Sequence, residues 1–156
     1  MPNVSASPST EPSETTSLLA TFFLREAAFA LQAGAIQEVI RLGAVTPVRH
    51  GPPEVAGVIN LRGRIVTLLD TGLILGLAPA VRDRESRIFV IEERGEFLSL
   101  LVDRVGEVID ADPGRTERLP LNIAPAQARY CTGVYRYNGR VITLLHTPEL
   151  LAGVLA

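Results

Sequence analysis

Cysteine and histidine are the residues of this chain with the widest chemical scope, and the chain holds one Cys and two His. Cys131 and His146 lie at opposite ends of a predicted hairpin, so facing strands could bring them together as a nucleophile and its base. A cysteine at the start of a strand is more often a small buried hydrophobic residue. His146 follows two leucines and precedes a threonine, as Asp70 does, which favours a role at the entry to a helix.

Two carboxylates, Glu38 and Glu107, occupy matching positions in two similar segments and could form an acid and base pair. Because they come from equivalent places, one structural task performed twice is the better interpretation. The matched residues Arg64 and Arg140 could be their ionic partners. A residue without a duplicate is a better candidate for function, and Arg62 is one, since Asn138 takes its place in the second segment. Asn60 is another, since its counterpart is an arginine.

The common catalytic motifs are absent from the sequence, which has no GxSxG, HExxH, CxxC or GxGxxG pattern. All 15 basic residues are arginines, which excludes chemistry that depends on a lysine. One Cys and two His cannot complete a closed zinc site without a carboxylate. The net charge of −2 argues against a nucleic-acid partner. We therefore expect no cofactor and no metal ion.

An internal repeat must position these residues. Residues 57–70 align without a gap with residues 133–146, and each copy reads as two apolar strands around a turn that contains glycine. A strand and a hairpin precede each copy, which predicts one β-rich domain built from two similar halves. The run from Ile65 to Leu69 is almost wholly apolar, so we expect it to be covered on both faces.

The boundaries of the domain and of its two halves follow from the residue composition of each segment. Residues 1–17 are mostly Ser, Thr, Pro and Glu and predict a disordered tail. The first half covers about residues 18–77 and the second about residues 86–156, with a short helix at residues 71–77. Residues 115–129 contain two prolines and predict a long loop. Thr147 is expected to be the N-cap of a C-terminal helix.

The expected location is the cytoplasm. A single cysteine excludes an internal disulfide and fits a reducing compartment. The sequence shows neither a signal peptide nor an apolar run of the ~18 residues that a membrane-spanning helix requires. We therefore expect no direct insertion into a membrane.

The duplicated stretch resembles the CheW family, the coupling proteins of bacterial chemosensory arrays. The similarity rests on the NLRG turn within residues 57–70, on Val45–Val48 before it and on Leu75–Leu77 after it. It continues through residues 102–108 and the hairpin of residues 132–145, and covers about residues 18–152. The chain departs from the family pattern at Thr71-Gly72, where Leu-Arg is usual, and at His146, where Asp is usual.

The resemblance implies a mainly β fold of two intertwined, SH3-like five-stranded β-barrels with short helices and a C-terminal helix, and no enzymatic activity. It implies an adaptor that binds the regulatory domain of the histidine kinase CheA and the cytoplasmic tip of methyl-accepting chemoreceptors in membrane-bound arrays. Other CheW-like domains are further candidate partners. Family positions carried over onto this sequence assign partner binding to Ile36, Glu38, Gly57, Asn60, Arg62, Val102 and Val105.

Two alternatives stay open at this point. One is an accessory CheW-like protein that competes with the main coupling protein. The other is a small enzyme that uses Cys131 and His146. In the family the turn that carries Arg62 lies beside the strand that carries Glu38, and in that arrangement Glu38 could hold the arginine in place.

Overall fold

A computed structural model describes residues 18–155, with side chains to residue 154, so the predicted disordered tail at residues 1–17 lies outside the described residues. The described chain is mainly β, with three α-helices and two short 3-10 turns. Its strands are β1 (Leu18–Leu24), β2 (Ala27–Gln32), β3 (Ile36–Arg41), β4 (Val55–Leu61), β5 (Arg64–Asp70), β6 (Arg87–Glu93), β7 (Glu96–Val102), β8 (Arg104–Asp110), β9 (Cys131–Tyr137) and β10 (Arg140–Leu145). Its helices are α1 (Thr71–Ile74), α2 (Pro125–Tyr130) and α3 (Thr147–Leu155).

The strands form two five-stranded sheets, and each sheet takes strands from both halves of the sequence. The first barrel has the order β3-β6-β7-β5-β4, and the second has the order β9-β10-β2-β1-β8. The N-terminal hairpin of the first half therefore belongs to the second barrel, and the matching hairpin of the second half belongs to the first barrel. This exchange confirms the predicted fold class of two intertwined five-stranded β-barrels.

The two barrels repeat each other's pairing. In each, one parallel pair joins the hairpins, β5 with β7 in the first barrel and β10 with β2 in the second. Edge strands β3 and β8 both carry a register shift, beside Glu38 in the first barrel and beside Glu107 in the second. Such a bulge bends a strand and redirects the side chain next to it.

In each barrel a segment after the first edge strand pairs with the opposite edge strand, at a line that we call the seam. Thr46 pairs with Val58 of β4, and Glu117 pairs with Val134 of β9. Both approaches need a glycine, because a Cβ on Gly57 would lie 2.4 Å from the Thr46 carbonyl oxygen and one on Gly133 would lie 2.6 Å from that of Glu117. Each bridge pairs the backbone N–H and C=O of one edge residue, Val58 or Val134, which reduces the backbone groups that the edge offers to another chain.

Three hydrophobic clusters hold the two barrels together, one inside each barrel and a larger one between them. Phe22 is fully buried in the central cluster, with its ring 5.8 Å from that of Phe29 and 5.5 Å from that of Phe89. Burying a side chain of this size contributes about 1.5–3 kcal/mol. Leu150 and Leu151 of α3 are buried in the same cluster, as expected for a helix that packs on the sheets.

Several sequence predictions are wrong in detail. Helix α1 ends at Ile74 instead of Leu77, and residues 125–130 of the predicted loop form α2, because Pro125 stands at the first helical turn, where proline is tolerated. Ile65 is 67% exposed, although we expected it to be covered on both faces. Its side chain points away from the barrel, whereas Val66 and Leu68 are buried inside the barrel and Leu69 is buried in the central cluster.

Candidate partner-binding site

The geometry does not support the Cys131–His146 dyad. Cys131 pairs with Leu145 across β9 and β10, and both side chains are buried, whereas His146 is exposed. Burial raises the pKa of the Cys131 thiol from 9.0 to about 12, so the thiol stays protonated at neutral pH. A protonated, buried thiol is a poor nucleophile. Within the described residues, no cluster of three His, Cys, Asp or Glu side chains could hold a metal ion.

Asp70 and His146 both serve at helix entries, as predicted. Asp70 Oδ1 accepts hydrogen bonds from the Leu73 N–H at 3.1 Å and from the Ala80 N–H at 3.0 Å. His146 Nδ1 accepts one from the Glu149 N–H at 3.3 Å. The N-cap of α3 is therefore His146, and the prediction that Thr147 performs this task is wrong by one residue.

The Arg62 side chain reaches across the seam of the first barrel to Glu38, which confirms the predicted contact. The guanidinium makes two contacts with the carboxylate, Nη1 to Oε1 and Nη2 to Oε2, each at 3.2 Å. This fork geometry fixes the orientation of the arginine. The Arg62 side chain is 78% exposed and the Glu38 side chain 26% exposed. Glu38 therefore holds the arginine at the surface, where a partner can reach it.

Asn60 and Gly63 shape the turn that carries Arg62. Asn60 Oδ1 accepts a hydrogen bond from the Gly63 N–H at 2.9 Å, and both residues are exposed. Arg62 has a φ of 55° and Gly63 a φ of 84°, the pair of positive values that a tight hairpin turn requires. A positive φ is unfavourable for arginine, whereas Asn138 at the equivalent turn adopts it more readily.

The strands that carry or adjoin this ion pair present two exposed apolar side chains. Ile65, which pairs with Asn60 across the hairpin, is 67% exposed, and Val39, which follows Glu38, is 45% exposed. The closed seam and the Arg62–Glu38 contact bring β3 close to the β4–β5 hairpin, although Val39 projects from the face of β3 opposite to Glu38. We call this set the seam surface: Glu38, Val39, Asn60, Arg62 and Ile65.

The structure does not bring all seven predicted site residues together. Glu38, Asn60 and Arg62 belong to the seam surface. Gly57 is buried and contributes indirectly, because it lets Thr46 approach β4. Ile36 is half-buried and packs against the central cluster, so the exposed face of β3 is the one that carries Val39. Val102 is fully buried in that cluster, so its side chain does not lie on a surface that a partner could contact.

Val105 lies on the second barrel, where it is 39% exposed and pairs with Phe22 across β8 and β1. Its place on β8 corresponds to that of Ile36 on β3. It is therefore separate from the seam surface, and only a partner that touches both barrels could contact both.

The matched pairs Glu38–Arg64 and Glu107–Arg140 do not form. Arg64 instead stacks on the Phe97 ring at 4.3 Å, and Arg140 stacks on the Phe23 ring at 5.0 Å. The two arginines thus perform the same task in both barrels, covering an aromatic ring, as the duplication indicated. Among residues 18–154, Glu107 has no ionic partner within 4 Å.

Sequence reasoning missed Ile65 because the exposed side of a nearly all-apolar strand carries no polar marker, and it did not select Val39, although Val39 shares the exposed face of β3 with Gln37 and Arg41. The signal that could have found Ile65 is its pairing with Asn60, a polar residue on the same face of the hairpin. In the described part of the chain, no helix is long and apolar enough to cross a membrane.

Comparisons with known proteins concern the family and the fold of the chain. The family model described as "CheW-like domain" matches residues 19–154. The chain is 28% identical over 127 residues to a chemotaxis protein CheW of Rhizobium meliloti, covering 81% of this chain and 82% of the relative. It is 29% identical over 131 residues to the CheW of Thermotoga maritima, covering 84% and 85% of the two chains.

A solved structure shares the fold. The crystal structure of the scaffolding protein TtCheW from Thermoanaerobacter tengcongensis superposes with a TM-score of 0.75 at 26% identity, covering 83% of this chain and 88% of that chain. Because the family model covers nearly all of the described residues, the chain belongs to the family of CheW-like domains.

Proposed function

We propose that this protein is a non-catalytic adaptor that couples chemoreceptors to the histidine kinase CheA. Family membership supports the proposal, as do relatives named chemotaxis proteins and a structural neighbour named a scaffolding protein. The partners would be the regulatory domain of CheA and the cytoplasmic tip of the receptors, with other CheW-like domains as a further class. The protein would act in the cytoplasm, recruited to receptor arrays.

The observation that carries this proposal is the Arg62–Glu38 pair at the surface of the first barrel. An exposed ion pair contributes only about 0.2–1 kcal/mol to stability. Arg62 also adopts a positive φ that disfavours arginine. Stability therefore explains little of this arrangement, whereas recognition explains it well.

Interfaces concentrate binding energy in residues of this kind. An arginine held in one orientation beside apolar side chains is a typical hot spot, and its truncation costs about 2 kcal/mol or more of binding free energy. Ile65 and Val39 supply the apolar surroundings, exposed by 67% and 45%. The exposed apolar area favours a protein partner over a small molecule.

The experiment compares Arg62→Ala with Arg136→Ala as a matched control. Arg136 makes an equivalent exposed ion pair with Glu117 at 3.0 Å in the second barrel, so both variants lose one surface pair. Each variant is mixed with receptor-bearing membranes and CheA. Co-sedimentation measures binding, and phosphorylation of CheA measures coupling.

We expect Arg62→Ala to bind about thirtyfold more weakly and to lose kinase activation, while Arg136→Ala behaves like the wild type. Arg62→Lys should restore little, because lysine cannot form the two parallel contacts. Wild-type coupling in Arg62→Ala would refute the role of the seam surface. A wild-type protein that binds receptors but lowers kinase activity would indicate an accessory competitor.

A further inference from the structure

The mouth of the second barrel holds a cavity of about 240 Å³. Its wall is mainly apolar and includes Phe23, Ala28, Ile109 and Ile142. Glu107, Asn138 and Arg140 lie at its rim, next to the turn between β9 and β10. A space of this size admits a large side chain.

The internal repeat explains why the cavity exists. Thr21 pairs with Ala30 and Phe23 with Ala28 in the second barrel, just as Val90 pairs with Ser99 and Glu92 with Phe97 in the first. Ala28 therefore stands where the first barrel has Phe97. The Phe97 ring, on which Arg64 stacks at 4.3 Å, has no counterpart at Ala28, because the second barrel carries its ring on the facing residue Phe23, on which Arg140 stacks at 5.0 Å.

The rim of the cavity also differs from the corresponding part of the first barrel. Asn138 stands where the first barrel has Arg62, and its short side chain leaves Glu107 without the guanidinium that Glu38 receives. In the described chain, Glu107 has no ionic partner within 4 Å and is exposed. The second seam instead has an ion pair at a different place, between Arg136 Nε and Glu117 Oε2 at 3.0 Å. Glu107 is thus not needed to close its own barrel.

We propose that the mouth of the second barrel is a socket for an arginine and an adjacent large apolar side chain of a protein partner. The first barrel shows the occupied state within one chain, with Phe97 in the mouth and Arg62 on the glutamate. In the second barrel the partner supplies both groups. The proposal rests on the proposed function, since it assigns the partner to the array that this protein couples.

The chain's own N-terminus does not fit the socket, because residues 1–17 contain no arginine and no aromatic residue. The group at the rim that favours an arginine is the Glu107 carboxylate, while the two arginines nearby lie on the Phe23 ring. Arg140 stacks on Phe23 and donates a hydrogen bond to the Glu26 carbonyl at 3.4 Å, and Arg104 stacks on the same ring at 4.1 Å. Both arginines are thus held on the aromatic ring, as Arg64 is in the first barrel, where a second guanidinium is accommodated on Glu38.

The first test uses small probes and needs no partner. Benzylguanidine carries both groups of the proposed occupant, benzyl alcohol carries only the ring, and phenylacetate carries the opposite charge. Binding to the full-length protein is followed by NMR at millimolar probe concentrations. We expect benzylguanidine to shift the resonances of Ala28 and Ile142 and to bind more tightly than the other two.

The variants decide which group is responsible. Glu107→Gln should weaken benzylguanidine binding about three- to fivefold, and Glu117→Gln in the same barrel should not. Asn138→Arg supplies the guanidinium from within the chain and should also weaken the probe. Ala28→Leu fills the cavity and should abolish binding, with a preserved melting temperature as proof of folding. Tighter binding of phenylacetate, or no shift at the cavity, would overturn the socket.

The second test asks whether a partner uses the socket. Asn138→Arg and Ala28→Leu should lower co-sedimentation with receptor-bearing membranes and CheA at least fivefold. Wild-type co-sedimentation by both would overturn the partner assignment, as would a dimer of the wild type that Asn138→Arg dissociates. If the wild type does not co-sediment at all, the proposed function is wrong, and the probe titration still decides the socket.

Discussion

Gly57→Ala should destabilise the first barrel, because this glycine sits where the seam closes. A Cβ at this position would lie 2.4 Å from the Thr46 carbonyl oxygen and 2.7 Å from Val45 Cγ1. The backbone has a φ of 150°, which side chains rarely adopt. Relief of the clash requires the segment at Thr46 to move away from β4. Its two backbone hydrogen bonds with Val58, at 2.9 and 2.8 Å, would then be lost.

The expected loss of unfolding free energy is the sum of the cost of the backbone conformation and the cost of the lost hydrogen bonds. The unfavourable φ costs about 1–3 kcal/mol. Each lost hydrogen bond costs about 1 kcal/mol more. The sum of about 3–5 kcal/mol is a large fraction of the 5–15 kcal/mol that stabilises a typical domain, and should lower the melting temperature by about 10 °C.

Gly63→Ala is the matched control. Gly63 also has a positive φ, 84°, but no atom lies within 4 Å of the position of its Cβ. It therefore reports the cost of the backbone conformation alone, about 1 kcal/mol. Urea unfolding followed by far-UV circular dichroism measures both variants. Equal destabilisation by Gly57→Ala and Gly63→Ala would show that the close approach of Thr46 does not matter.

Three further predictions concern other parts of the chain. The Cys131 thiol should resist alkylation in the folded protein at pH 8, because it is buried and protonated. Burial raises its pKa to about 12, so the stability that the neutral thiol contributes should be complete below about pH 9 and lost as the pH rises toward 12. Asp70→Ala should lower the free energy of unfolding by about 2–4 kcal/mol, because it leaves the Ala80 N–H unpaired. His146→Ala removes only a helix cap and should lower it by about 1 kcal/mol. Urea unfolding measures both variants, and equal losses would contradict the additional role of Asp70 at Ala80. Ile65→Ser should change stability by less than about 0.5 kcal/mol and weaken co-sedimentation with receptors and CheA; a large loss of stability would show that Ile65 belongs to the core.

Most of the fold could be predicted because the repeat constrains it. Two aligned copies of a strand and a hairpin predicted two similar β halves, the resemblance to the CheW family implied the two intertwined barrels, and the equivalence of Asp70 and His146 identified both helix entries. The Arg62–Glu38 contact was predictable from the resemblance, since a turn and a strand had only to lie side by side.

The remaining features depend on long-range geometry that a local pattern does not contain. The fully buried Val102 and the exposed Ile65 are both apolar strand residues, and only the curvature of each sheet decides which face is covered. Helix α2 forms in a segment whose prolines suggested a loop, because Pro125 starts its helix instead of interrupting it. The cavity at Ala28 could not be predicted from the sequence, because it depends on the strand register in which Ala28 takes the place of Phe97.

The two seams show how a duplicated domain can acquire different tasks at equivalent places. Glycines that permit the close approach, Gly57 and Gly133, are kept in both halves, and so are the arginines that cover an aromatic ring. The ion pair is not kept in place, because the first seam uses Glu38 with Arg62 and the second uses Glu117 with Arg136. Moving the pair leaves each seam with one ionic contact, so the barrels remain equally closed. It also leaves Glu107 of the second barrel without an ionic partner among the described residues, and this difference between equivalent places agrees with the proposed binding of two different partners by one molecule.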